Sequence, residues 1–138
     1  MMSAVCPADL MIVLDGSALF AILLDEPEAR RCEAAIERAD TLLLSAGTLA
    51  ELLIVAAAKD VLDDMREFVE ALRPTIVNVT AERARAAADA YAQWGRGFHP
   101  AKLNFGDCFA YALAKEHDCP LLFVGDDFAR TDVAAARA

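Results

Sequence analysis

Residues 11–24 read MIVLDGSALFAILL, and this stretch decides the fold. Met11–Leu14 is a short apolar run that stops at Asp15 and Gly16, after which a helical pattern runs from Ser17 to Leu24. A fully apolar run of this length is typical of a strand that is buried on both faces of a sheet. The stretch therefore predicts a buried strand that turns directly into a helix.

The same alternation continues along the chain. Three more strands are expected at short apolar runs, namely Leu42–Leu44, Thr75–Val79 and Leu121–Val124. Helices are expected between them, at Pro27–Ala39, Thr48–Lys59, Leu62–Leu72, Ala81–Trp94 and Asn104–Lys115. Short apolar strands separated by crossover helices predict an α/β protein, a three-layer α/β/α sandwich with a central parallel sheet of four to five short strands.

Size and composition limit the possible classes of protein. A chain of 138 residues, 57% hydrophobic and 25% charged, predicts one folded domain at 11–138, with 1–10 as a loosely held extension and Ala134–Ala138 as a fraying end. No run approaches the length of a membrane span, and the four cysteines lack CxxC or zinc spacing, so a cytoplasmic protein with reduced thiols is expected. The net charge of −9 is unusual for a protein that binds nucleic acid.

Four acids stand where apolar runs give way to turns or to helix starts. Asp15 and Asp126 follow predicted strands, while Glu51 and Asp107 fall in the first turns of predicted helices. In open parallel sheets, ligands bind outside the carboxyl ends of the strands, so all four acids can meet at one pole of the fold. A site made only of carboxylate oxygens suits Mg²⁺ or Mn²⁺, ions that support phosphodiester hydrolysis.

Each acid also has a purely structural interpretation. Thr48-Leu49-Ala50-Glu51 has the spacing of a capping box, and so does the stretch from Asn104 to Asp107. Asp15 could cap the first helix, and Asp126 could be an ordinary turn residue. Capping explains the acids one at a time but does not require them to share a pole.

At these residues the sequence resembles PIN-domain ribonucleases, and among them the VapC-type toxins of bacterial toxin-antitoxin pairs. The resemblance covers nearly the whole chain from Met11 and is carried by MIVLDGSAL (11–19), TLAE (48–51), LNFGDCFAYALA (103–114) and LLFVGDDF (121–128). The last two blocks are the most specific. The resemblance implies a metal-dependent endoribonuclease that dimerises with itself and is neutralised by a cognate antitoxin protein.

The resemblance also implies roles for individual residues. Asp15, Glu51, Asp107 and Asp126 would be the catalytic acids that hold Mg²⁺ or Mn²⁺, with Asp127 as the alternative to Asp126. Ser17 would support the metal site by hydrogen bonding, or would cap the first helix. Position 16 is Gly where the family commonly has Thr or Ser, which removes one hydroxyl from the neighbourhood of the site.

The segment from Tyr91 to Gly106 contains four aromatic residues, two cations and a histidine but no acid. Aromatic rings can stack on unpaired bases while cations meet phosphates, so Arg96 and Lys102 are candidate RNA-binding residues. Alternatively, the aromatic rings complete the core and the cations are simply solvated.

Two other functions fit parts of the sequence. A small phosphatase of the haloacid dehalogenase type would share the acids at Asp15 and Asp126, but Ser17 stands where that chemistry needs a second acid. A binding module that is catalytically weak or inactive, and that docks RNA or a protein partner, would use the acids only as caps. Site-specific binding of Mn²⁺ discriminates between this module and the nuclease.

Overall fold

A computed structural model describes residues 10–136 and contains a four-stranded parallel sheet covered by helices on both faces. The strands are β1 (Met11–Leu14), β2 (Thr41–Ser45), β3 (Thr75–Val77) and β4 (Leu121–Leu122). The helices are α1 (Gly16–Leu23), α2 (Ala29–Arg38), α3 (Ala46–Ala58), α4 (Leu62–Leu72), α5 (Ala81–Trp94) and α6 (Phe105–His117), followed by a short 3₁₀ helix at Phe128–Arg130. The predicted three-layer architecture is confirmed. The expected loose extension at 1–10 falls outside the described residues except for Leu10.

The sheet divides the core into two layers because successive side chains of a strand point to opposite faces. In β1, Ile12 and Leu14 pack with buried residues of α1 to α4, whereas Val13 packs with α5 and α6. Leu44 and Leu43 of β2 alternate in the same way. The apolar runs of the sequence are therefore strands that are buried on both faces.

The strand order reverses at β1. The order is β3-β2-β1-β4, so the chain moves from β1 to β2 and β3 on one side and returns to β4 on the other side. Asp15 follows β1 at this reversal, and its backbone N–H donates to the carbonyl of Leu122 in β4 (3.0 Å). In parallel sheets, such a reversal is the usual place for a ligand-binding site.

Most element ends differ from the predicted ones by one or two residues, a normal uncertainty for helix and strand ends. One prediction about the C-terminus was wrong. The Ala-rich tail does not fray where it is described, because the N–H of Leu121 donates to Ala134 and the N–H of Ala136 donates back to Leu121. The tail thus extends the free edge of β4, a pairing for which alanines give no sequence signal.

Two further findings concern the cysteines and the helices of the described residues. Cys32, Cys108 and Cys119 are free thiols, while Cys6 lies outside the described residues. Within residues 10–136, no helix combines the length and the apolar character that crossing a bilayer requires.

Candidate active site

Asp15 is a buried acid held by its own helix. It caps α1, accepting hydrogen bonds from the backbone N–H of Ser17 (3.0 Å) and from the Ser17 hydroxyl (2.5 Å), and its exposed fraction is 5%. Burial raises the pKa of Asp15, and the two hydrogen bonds from Ser17 oppose that shift. The capping interpretation is therefore correct, but it leaves a buried carboxylate at the strand reversal.

Ser17 links the residues that follow β1 and β4. While its hydroxyl donates to Asp15, its oxygen accepts a hydrogen bond from the backbone N–H of Val124 (3.0 Å), just beyond β4. The side chain thus fixes the start of α1 against the segment that leads to Asp126 and Asp127. Of the two sequence-based roles for Ser17, capping of the first helix is wrong, because Asp15 caps α1 and Ser17 lies inside that helix. Support of the metal site by hydrogen bonding stays a prediction.

Glu51 is not the capping-box residue that the sequence indicated. Helix α3 begins at Ala46 rather than Thr48, because the Ser45 side chain accepts from the N–H of Gly47 (3.1 Å) and caps the helix. Thr48 is fully buried inside the helix instead. Glu51 therefore lies in the second turn of α3, where its carboxylate is free for another role.

The carboxylate of Glu51 rests on the backbone of Gly106, in the first turn of α6. A Cβ at position 106 would overlap the carboxyl carbon and both oxygens of Glu51. Gly is unfavourable inside a helix, so this close approach supplies a reason for its presence there. Burial and the nearby charge of Asp15 both raise the pKa of Glu51.

Asp107 has a capping role and also faces the other acids. Its side chain accepts from the N–H of Asn104 (3.0 Å), and the Asn104 side chain accepts from the N–H of Asp107 (2.8 Å), which completes a capping box. Burial raises the pKa of Asp107 to about 7, together with the charges of Asp15, Glu51 and Asp127, although the bond from Asn104 opposes the shift. Charges that act in this way must lie near Asp107, so acids from four segments converge.

The fourth acid lies in the exposed turn after β4. Asp126 and Asp127 are both exposed, and the sequence favoured Asp126 because it is nearer the strand. In the structure it is Asp127 whose charge raises the pKa of Asp107, and Asp126 is not among those charges. This difference favours Asp127 over Asp126 as the fourth acid.

The carboxylates of the site form no ion pair in the described part of the chain. Within residues 10–136, none of the ion pairs includes Asp15, Glu51, Asp107 or Asp127. Across the same residues, no three acidic, histidine or cysteine side chains stand close enough to enclose a metal ion in these conformations. Mg²⁺ usually keeps several waters and takes only one or two carboxylates directly, so the donor set fits a hydrated Mg²⁺ or Mn²⁺ ion.

The candidate RNA-binding residues lie in the loop between α5 and α6. Arg96 and Lys102 are both exposed there, and both line a depression together with Phe98, His99 and Pro100. The loop leads directly into Asn104 and the first turn of α6, which carries Asp107. The cations thus stand on the segment that delivers one of the acids.

Known proteins are similar to this chain in sequence or in architecture. Residues 12–134 match the family described as PIN domain. VapC ribonuclease Mb0640 of Mycobacterium bovis is 44% identical over 126 residues, which cover 89% of this chain and 96% of that protein. The crystal structure of VapC20 from Mycobacterium tuberculosis, a sarcin-ricin loop cleaving toxin, superposes with a TM-score of 0.75 at 13% identity, covering 92% and 99% of the two chains. A toxin-antitoxin complex from Klebsiella pneumoniae gives 0.65 at 19%, covering 88% and 92%. At these identities, the two structures show likeness of fold alone.

Proposed function

This chain belongs to the PIN domain family and, within it, to the VapC ribonucleases, and from this premise we propose that it is a metal-dependent endoribonuclease toxin. The observation that carries the proposal is the convergence of uncompensated carboxylates on Asp107, whose pKa is raised to about 7. Family membership leaves the phosphatase alternative without support. Its required second acid is replaced by Ser17, whose hydroxyl is already bonded to Asp15 and Val124.

Asp15, Glu51 and Asp107, with Asp127 favoured over Asp126, would hold Mg²⁺ or Mn²⁺. An ion bound there would offset the repulsion among the carboxylates, polarise the scissile phosphate and lower the pKa of water for hydrolysis of RNA phosphodiester bonds. The chain supplies the positions of the acids. Ser17 orients Asp15 and favours its ionised form, Gly106 leaves the space that Glu51 occupies, and Asn104 fixes the rotamer of Asp107.

The partners follow from the same family. We propose that a cognate antitoxin protein neutralises the chain, that two copies form a homodimer, and that the protein acts in the cytoplasm. The toxin-antitoxin complex with the same fold supports the first of these. An antitoxin that inserted an arginine among the carboxylates would supply the positive charge that they lack, so removing that arginine should weaken inhibition.

RNA cleavage by the purified protein tests the proposed activity. Cleavage should require Mg²⁺ or Mn²⁺, stop in excess EDTA and fall strongly in Asp15→Asn, which keeps the size of the side chain. Ser45→Ala is a matched control, because Ser45 caps α3 as Asp15 caps α1, and its hydroxyl accepts from the N–H of Gly47 rather than bonding to a site acid. Cleavage that survives both EDTA and Asp15→Asn would contradict the proposal, and RNA binding without cleavage would instead support the catalytically weak module.

A further inference from the structure

One segment of this acidic chain carries the positive charge that is needed to bind a polyanion. Residues 91–106 contain no acid, whereas the whole chain has a net charge of −9. Arg96, His99 and Lys102 all fall between Gly95 and Leu103, a segment called here the basic loop. Affinity for nucleic acid depends on cations that neutralise phosphates, and such a local patch can supply it where the net charge does not.

The basic loop is closed and held in shape by its own backbone. Gly95 pairs with Leu103 in a parallel bridge, the N–H of Arg96 donates to Leu103 (2.9 Å), and the N–H of Leu103 donates to Trp94 (3.1 Å). Within the loop, the His99 ring packs edge-on against Trp94 at 4.7 Å, and its Nδ1 accepts from the N–H of Ala101 (2.9 Å). These contacts therefore hold the backbone that carries Arg96 and Lys102 in place.

Two connections hold the basic loop beside the acids. On one side, Leu103 is followed by Asn104, whose capping box positions Asp107. On the other side, Arg130 donates to the carbonyl of Pro100 (3.2 Å), and Arg130 ends the 3₁₀ helix that follows Asp127. The loop is thus attached to the segments that carry Asp107 and Asp127.

Two aromatic rings on this surface are left to solvent. Phe98, in the loop, is 66% exposed and touches Tyr91 edge-on, with ring centroids 6.0 Å apart. Phe105, the first residue of α6 and two positions before Asp107, is 74% exposed and is supported edge-on by Phe109 at 5.1 Å. Each ring therefore packs at a steep angle against one neighbouring ring and leaves most of its surface exposed.

We infer that the basic loop and Phe105 together form the surface that binds an unpaired stretch of RNA beside the acids. Arg96 and Lys102 contact phosphates, while Phe98 and Phe105 stack on unpaired bases. Stacking needs bases that are free of a duplex, so the surface selects single-stranded segments or loops over helical RNA. The inference rests on the proposed function only for the position of the cleaved bond, since RNA binding can be measured without cleavage.

Charge identifies RNA rather than a protein as the occupant. Within the basic loop, the aromatic residue Phe98 lies between Arg96 and His99 in a segment without acids. A single strand of RNA likewise alternates bases, which can stack on a ring, with phosphates, which can pair with a cation. A protein that docked here through apolar contacts would have to bury these cations or pair them with its own acids. RNA brings one negative charge for each base that it stacks.

Fluorescence anisotropy with a short labelled single-stranded RNA of mixed sequence, and with its duplex, tests the inference. The measurement is made in the Asp107→Asn background with Mg²⁺ present, so that RNA is not consumed. Phe98→Ala and Phe105→Ala should each weaken single-strand binding about 5- to 100-fold and leave duplex binding unchanged. Arg96→Ala and Lys102→Gln should each lower the dependence of log K on log salt by about 0.7.

Ile76→Ala serves as a matched control, since Ile76 is an exposed apolar residue (41%) on the far edge strand β3. It should bind both RNAs like the parent protein. Both rings are exposed, so their removal should leave the melting temperature unchanged. Single-strand binding that is unaltered in both Phe variants would overturn the inference. Equal losses for single strand and duplex would exclude stacking, and lost antitoxin binding with intact RNA binding would identify a protein-docking surface.

These outcomes separate the inference from the proposed function. If the Phe variants lose single-strand affinity but the parent chain cleaves no RNA, the binding surface stands and the nuclease proposal fails. If the parent chain cleaves RNA and the Phe variants bind it normally, the nuclease proposal stands and the binding surface fails.

Discussion

The carboxylate of Glu51 occupies the space where residue 106 would carry a side chain, so Gly106 and Glu51 fit together across the junction of α3 and α6. This contact brings an acid from the second turn of one helix to the first turn of another, beside Asp107. Because Asp15 lies at the strand reversal and raises the pKa of both Glu51 and Asp107, the contact is part of a single acidic site.

Gly106→Ala should displace the Glu51 carboxylate and reduce RNA cleavage about 10- to 100-fold, the loss typical of disturbing the support of a metal site. The fold should survive, because Ala is favoured over Gly inside a helix by about 1 kcal/mol. Cleavage rate and Mn²⁺ affinity, measured together, check the prediction.

A double-mutant cycle shows whether the effect passes through Glu51. In a Glu51→Ala background the space at position 106 is empty, so Gly106→Ala should cost no further activity and should stabilise the protein by up to about 1 kcal/mol. Equal losses from Gly106→Ala in both backgrounds would contradict the account. Gly16→Ala is the matched control, because a Cβ there would meet Leu52 at an ordinary 3.4 Å.

The pKa of Asp107 predicts how stability depends on pH in the absence of divalent ions. Folding raises this pKa from 3.8 to about 7, so the folded state favours the protonated acid. The resulting stabilisation is fully present below the unfolded pKa and is lost as the pH rises through about 7. Asp107→Asn keeps an acceptor for the N–H of Asn104 but removes the titration.

Urea unfolding at pH 5 and pH 8 in EDTA measures this effect. Relative to the parent protein, Asp107→Asn should gain stability as the pH rises, by on the order of 3 kcal/mol. Added Mn²⁺ should stabilise the parent protein at pH 8 and have much less effect on the variant. A stability difference that does not change with pH would show that Asp107 titrates as an ordinary surface acid.

Ser17→Ala should affect both stability and the pH dependence of cleavage. Without the hydroxyl, the N–H of Val124 loses its acceptor, which costs about 1–3 kcal/mol. Since the hydrogen bond from the Ser17 hydroxyl lowers the pKa of Asp15, its loss should also move the rise of activity with pH to higher pH, while the bond from the backbone N–H of residue 17 remains. Ser45→Ala, which loses a helix cap worth about 1 kcal/mol, should reduce stability without moving that pH profile.

The choice between Asp126 and Asp127 has a direct test in RNA cleavage rates. Asp127→Asn should slow cleavage about 10- to 100-fold, whereas Asp126→Asn, in the same exposed turn, should stay close to the parent rate. If Asp126→Asn slows cleavage and Asp127→Asn does not, the fourth acid is Asp126, the residue that the sequence favoured.

The layered fold was predictable from the sequence because a short apolar run or a helical period indicates each strand or helix within its own segment. Capping was harder to predict, since Thr48 and Glu51 have capping-box spacing but Ser45 starts the helix three residues earlier. For Asn104 and Asp107 the same spacing is a true capping box, and Asp107 nonetheless faces the other acids. Capping and a place in the site are therefore not alternatives.

The contacts that assemble the site were beyond sequence reasoning because they join distant segments. Nothing near Gly106 indicates that Glu51 lies against it, apart from a glycine inside a helical pattern. The proximity of Asp127 to Asp107 depends on the path of the turn after β4. The pairing of Leu121 with the Ala-rich tail likewise requires the folded chain.

X-ray diffraction from crystals grown with Mn²⁺ shows whether these acids form a metal site. Anomalous scattering recorded at the manganese absorption edge should show a peak beside Asp15 and Asp107, within reach of Glu51, and the peak should vanish in Asp107→Asn. A parent protein that shows no anomalous peak among these carboxylates, or shows one only elsewhere, would contradict the account.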